Sequence, residues 1–92
     1  MERARILVVD DEMGPRESLR MILKPNFDVH TVESGEAALR ELDRFRPDLI
    51  FMDIKMPSMD GVEVLRRIKA NDPTIEVVMI TAYASLEPSS TR

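Results

Sequence analysis

The chain has 92 residues, 43% of them hydrophobic and 33% charged, which is the make-up of one small globular domain and excludes a disordered or fibrous chain. Lys and Arg number 13 against 17 Asp and Glu, a net charge of −4 with no basic block, so direct nucleic-acid binding is not expected. There is no cysteine, hence no disulfide or thiolate metal site, which suits a cytoplasmic protein.

Ile6-Leu7-Val8-Val9 is a β-branched run that ends at Asp10-Asp11-Glu12 and is too short for a signal peptide or a membrane span. Gly14-Pro15 offers a helix start, and Leu19, Ile22 and Leu23 give that helix an apolar face until Pro25-Asn26 stops it. Phe27, Val29 and Thr31 then alternate with Asp28 and His30, the period of an edge strand with one wet face, on which His30 points to solvent. Ser34 can cap a second helix whose Ala38, Leu42 and Phe45 share a face, with Pro47 ending it. Asp48 to Asp53 encloses Leu-Ile-Phe-Met, apolar on both faces and so a buried parallel strand. Asp60-Gly61-Val62-Glu63 has capping-box spacing ahead of a third helix with Val64, Leu65 and Ile68 as its buried stripe, and Asn71-Asp72-Pro73 closes it. Ile75 to Thr81 is the last strong element, with Val77 to Ile80 again apolar on both faces.

The order β-α-β-α-β-α-β with short connections implies an α/β fold built on an open parallel sheet with right-handed crossovers. Residues 1–86 form the domain, and Glu87 to Arg92 have the composition of a tail.

Such sheets bind ligands beyond the carboxyl ends of their strands, near the point where strand order reverses. Those ends carry Asp10 and Asp11, then Asp53, then Thr81. Taken singly, each acid is an ordinary cap or loop residue. Gathered within ~5 Å on neighbouring strands, each pair of carboxylates repels by ~3 kcal/mol at an effective dielectric of 20, which calls for a compensating cation. A set of hard oxygen ligands favours Mg2+ or Mn2+.

Four motifs in this order, Ile6-Leu7-Val8-Val9-Asp10-Asp11-Glu12, Asp48-Leu49-Ile50-Phe51-Met52-Asp53, Met56-Pro57-Ser58-Met59-Asp60-Gly61 and Val78-Met79-Ile80-Thr81-Ala82, resemble the receiver domain of bacterial two-component response regulators. The resemblance implies the receiver sheet order 2-1-3-4, Asp53 as phosphoacceptor, and Asp10, Asp11 and Asp53 as metal ligands joined by the Lys55 main-chain carbonyl. It gives Thr81 and the Ala82 amide contacts to the phosphoryl group. It also implies a sensor histidine kinase or a small phosphodonor such as acetyl phosphate as partner, and no enzyme activity beyond self-phosphorylation and self-dephosphorylation.

The family has a fifth strand with flanking helices and a lysine at that strand's end, whereas the lysines here are Lys24, Lys55 and Lys69. The sequence therefore reads as a receiver truncated after its fourth strand, with impaired phosphoryl transfer. Its fourth strand, apolar on both faces, is then expected to form a homodimer, by edge pairing or by exchange of the segment from Thr81 to Arg92. Two other functions compete: a non-switching interaction module that dimerises through this edge, and a metal-dependent phosphohydrolase using Asp53. The second is weakened by the lack of an aspartate two positions after Asp53, where Lys55 stands.

Overall fold

A computed structural model describes residues 3–53 and 61–80. Strands and helices alternate: β1 (Arg5–Val9), α1 (Met13–Leu23), β2 (Asp28–Val32), α2 (Gly35–Phe45), β3 (Leu49–Asp53), α3 (Gly61–Asn71) and β4 (Glu76–Ile80). The four strands form one parallel sheet in the order β2-β1-β3-β4, as expected. The chain steps one way from β1 to β2 and the other way from β2 to β3 and on to β4. With crossovers of one hand, that reversal sets α1 on one face and α2 and α3 on the other.

The main core lies on the α2–α3 side. Leu7 and Val9 of β1 and Ile50 and Met52 of β3, spaced two apart so that they share a face, meet Ala38, Leu42 and Phe45 of α2 and Val64 and Ile68 of α3. Burial of a side chain of this size contributes about 1.5–3 kcal/mol, so this cluster is the main source of stability. Ile6 and Val8 are also buried, which is why β1 reads as apolar on both faces.

Local chemistry sets the helix ends. The Ser34 side chain accepts the Ala37 N–H at 3.1 Å, as its cap role requires. Helix α2 ends where Arg46 turns left-handed at φ 55°, its N–H bonding the Leu42 carbonyl, with Pro47 buried just beyond. The Lys69 ammonium donates to the Ile75 carbonyl at 2.6 Å and ties the last turn of α3 to the entry of β4.

One element differs from expectation. Helix α1 has no buried residue, and Ile22, expected on its apolar face, is 69% exposed. Its sheet-facing stripe is Arg16, Leu19, Arg20 and Leu23, each only part-buried, and Ile22 lies beside that stripe. Strand β4 stands last in the expected order 2-1-3-4: among the described residues it pairs only with β3, and Val78 on it is 41% exposed. The expected Asp60 cap of α3 lies outside the described residues. No described helix is long and apolar enough to cross a membrane.

Candidate functional site

Strand register builds the site. Val9 of β1 is paired with Met52 of β3, so the next residues, Asp10 just past β1 and Asp53 at the end of β3, stand side by side at the carboxyl edge of the sheet. This is the reversal point, because β1 lies between β2 and β3. Asp11 follows Asp10 directly, and one carboxylate oxygen from each of Asp10, Asp11 and Asp53 lies within 4.8 Å of the others.

Asp10 is the most enclosed of the three, at 8% exposure, and its polar groups are tied down one by one. Its N–H bonds the Val32 carbonyl of β2 at 3.1 Å, and its Oδ1 accepts the Glu12 N–H at 2.9 Å. Its carbonyl accepts from the Arg16 guanidinium at 2.9 Å. Burial raises the pKa of the Asp10 carboxyl above its ordinary value; the Glu12 amide opposes that shift, and the charges of Asp53, Asp11 and Glu12 add to it. A buried carboxylate crowded by two others, with an all-oxygen donor set, fits a hard divalent cation.

A separate cleft of about 700 Å³ opens at the other end of the sheet, lined by residues that include Arg5, Arg46, Asp48 and Asp72. Asp48 there already accepts the Arg5 N–H, and Asp72 accepts the Thr74 N–H and hydroxyl, so these acids are structural.

The family model for the response regulator receiver domain matches residues 6–90. This chain belongs to that family. Sporulation initiation phosphotransferase F of Bacillus subtilis is 39% identical over 88 residues, covering 95% of this chain and 71% of that protein. Protein-glutamate methylesterase/protein-glutamine glutaminase 1 of Syntrophus aciditrophicus is 42% identical over 90 residues, 95% of this chain but only 26% of that protein. The crystal structure of a CheY-like response regulator receiver domain protein from Methanospirillum hungatei superimposes with a TM-score of 0.84 at 32% identity, over 97% of this chain and 72% of that one. This chain thus aligns with the receiver portion of longer proteins, and membership implies a phosphoacceptor role in signalling.

Receiver domains bind Mg2+ at an acidic pocket, and the three aspartates here form such a cluster. Of the residues singled out from sequence, Asp10, Asp11 and Asp53 converge, whereas Lys55, Thr81 and Ala82 lie outside the described residues. Ile80, paired with Asp53, is the last described residue before Thr81. Sequence reasoning passed over Arg16 and the Glu12 amide. The signal for Arg16 is its place on the part-buried stripe of α1, a costly position for an arginine unless it has a partner.

Proposed function

We propose that this receiver domain accepts a phosphoryl group on Asp53 in a magnesium-dependent reaction, with Asp10, Asp11 and Asp53 as metal ligands. The observation that carries this reading is the convergence of three carboxylates within 4.8 Å at the carboxyl ends of adjacent strands. A bound Mg2+ supplies the positive charge that offsets repulsion among the acids and the phosphoryl oxygens. An Asp53 oxygen attacks phosphorus as the P–N bond of a phosphohistidine breaks, the imidazole keeping the bonding pair and taking a proton from solvent. With acetyl phosphate the P–O bond breaks and acetate leaves. Water later attacks the acyl phosphate, releasing phosphate and restoring the Asp53 carboxylate. Turnover is confined to the domain's own acyl phosphate.

The Lys55 carbonyl, Thr81 and the Ala82 amide complete this reading by position in the motifs. The donor is a sensor histidine kinase, which places the domain in the cytoplasm, or a small phosphodonor; the similarity to a sporulation phosphotransferase supports a place in a phosphorelay. The test is intact mass after acetyl phosphate treatment. A single phosphoryl adduct, however slowly it accumulates, should require magnesium and vanish in Asp53→Asn. An adduct that persists in that variant overturns the assignment.

A second reading concerns association. The exposed Val78 on a β4 that pairs only with β3 among the described residues favours a homodimer through this edge, with exchange of the segment after Ile80 as the other route. A two-fold axis would pair the two β4 strands antiparallel. Light scattering over a dilution series should show a dimer that Val78→Lys dissociates; a monomer at high concentration overturns it.

A further inference from the structure

We propose that Arg16 is the positioning residue of the acidic site: by holding the Asp10 carbonyl, its guanidinium fixes the loop that presents Asp10 and Asp11 to a cation. The inference rests on the metal reading above and adds a residue to it.

Arg16 sits one turn into α1, and its own N–H bonds the Glu12 carbonyl at 3.3 Å, so its backbone belongs to the helix while its side chain reaches back to the end of β1. The contact goes to the main-chain carbonyl of Asp10 at 2.9 Å and not to a carboxylate. That choice matters. A guanidinium paired with the Asp10 or Asp53 carboxylate would occupy ligand oxygens and compete with a metal. On the carbonyl it takes neither oxygen of the Asp10 carboxylate and still anchors the residue that carries them. The Glu12 amide holds Asp10 Oδ1 and the Val32 carbonyl holds the Asp10 N–H, so Arg16 supplies the third and only side-chain restraint on this residue that the described bonds contain. Bonds of this kind, from a charged donor to a partly buried acceptor, are about twice as strong as neutral ones. Groups that orient metal ligands typically change metal affinity about 10–100-fold when removed.

Two effects of the guanidinium have opposite signs, which makes the idea testable. If Arg16 acted only as a nearby positive charge, its removal would tighten cation binding. If it positions the loop, its removal weakens binding and frees the Glu12 amide. The experiment compares the full chain with Arg16→Met and Arg16→Lys by calorimetric Mg2+ titration and, without metal, by amide hydrogen exchange at Glu12 relative to Leu7, which corrects for any loss of global stability. The methionine variant should bind Mg2+ about tenfold more weakly. Its Glu12 amide should exchange about tenfold faster relative to Leu7, and lysine, which can still donate one bond, should recover part of both losses. Unchanged or tighter Mg2+ binding in Arg16→Met, or a Glu12 amide that exchanges as in the parent, overturns the inference. A parent chain that binds no Mg2+ refutes the metal reading instead, and Glu12 exchange then decides on Arg16 alone.

Discussion

The imidazole of His30 on β2 lies flat against the phenyl ring of Phe45 on α2, with ring centroids 3.8 Å apart and planes 8° from parallel. Phe45 is 7% exposed and closes one end of the core, so the histidine serves as a cover for it and is more than a solvated strand residue. Glu41 stands 3.7 Å from the same imidazole at Nδ1. An aromatic pair of this kind contributes about 0.5–1.5 kcal/mol beyond its buried area. His30→Ala should therefore destabilise the domain by about 1 kcal/mol, a fall in melting temperature of about 4–8 °C for a chain of this size. His30→Phe should retain most of the stability, and a thermal melt that separates neither variant from the parent would refute the role.

That contact marks the limit of what periodicity can reveal. The alternation of β2 correctly leaves His30 exposed, but its pairing with Leu7 puts it on the sheet face that α2 covers, and no spacing within either element says that it meets Phe45 there. The core was legible because Leu7, Val9, Ile50 and Met52 repeat every two residues while Ala38, Leu42 and Phe45 recur at helical spacing, and each pattern has one buried solution. The acidic site was legible for a related reason: strand ends in a parallel sheet are fixed by the apolar runs before them, and Asp10 and Asp53 each end one. Ile22 shows the opposite case. Its spacing from Leu19 and Leu23 allowed burial, but Arg16 and Arg20 share the sheet-facing stripe of α1, which hydrophobicity alone does not reveal.

Arg46 is the one non-glycine residue with positive φ among the described residues, at φ 55°. A side chain in this region costs about 1–2 kcal/mol, whereas glycine there loses about 0.5–1 kcal/mol through a more flexible unfolded chain. The difference predicts that Arg46→Gly stabilises the domain by about 0.5–1 kcal/mol, because the Leu42 carbonyl keeps its backbone donor. Urea denaturation with an unchanged slope is the measurement. A lower midpoint for the glycine variant would mean that the charge of Arg46 near Asp72 outweighs the backbone term.

Asp72 carries a pH-dependent contribution. Its Oδ1 accepts the Thr74 hydroxyl at 2.6 Å and the Thr74 N–H at 3.0 Å, and these bonds, the hydroxyl first, hold its pKa below the ordinary 3.8. An acid whose folded pKa is depressed adds stability above its unfolded pKa and loses it as pH falls through the folded one. Thr74→Val removes the hydroxyl and keeps the shape. The variant should melt below the parent at neutral pH, and the gap should close as pH drops below 3.8. A gap that is the same in acid and at neutrality would assign the loss to packing.

For Asp10 the sign is reversed. Burial and the neighbouring acids raise its folded pKa, so without metal its charge weighs against the folded state at neutral pH, and that cost disappears as pH falls below the unfolded 3.8. Asp10→Asn keeps an oxygen for the Glu12 amide and removes the charge. Without metal at neutral pH, the asparagine variant should be the more stable protein by about 1–2 kcal/mol, less than the bare repulsion of two charges at this separation because solvent screens it. In acid the two should converge. Magnesium should invert the order: at 100 times its dissociation constant it stabilises the parent by about 2.7 kcal/mol, about 10–20 °C in melting temperature, while the variant, lacking one of the three carboxylates, gains much less. Calorimetric melts of both proteins, with and without Mg2+ and across pH, test the electrostatic and the metal-binding parts separately. An asparagine variant less stable than the parent without metal would show that the Asp10 charge is compensated within the folded chain, and equal magnesium shifts would remove Asp10 from the ligand set.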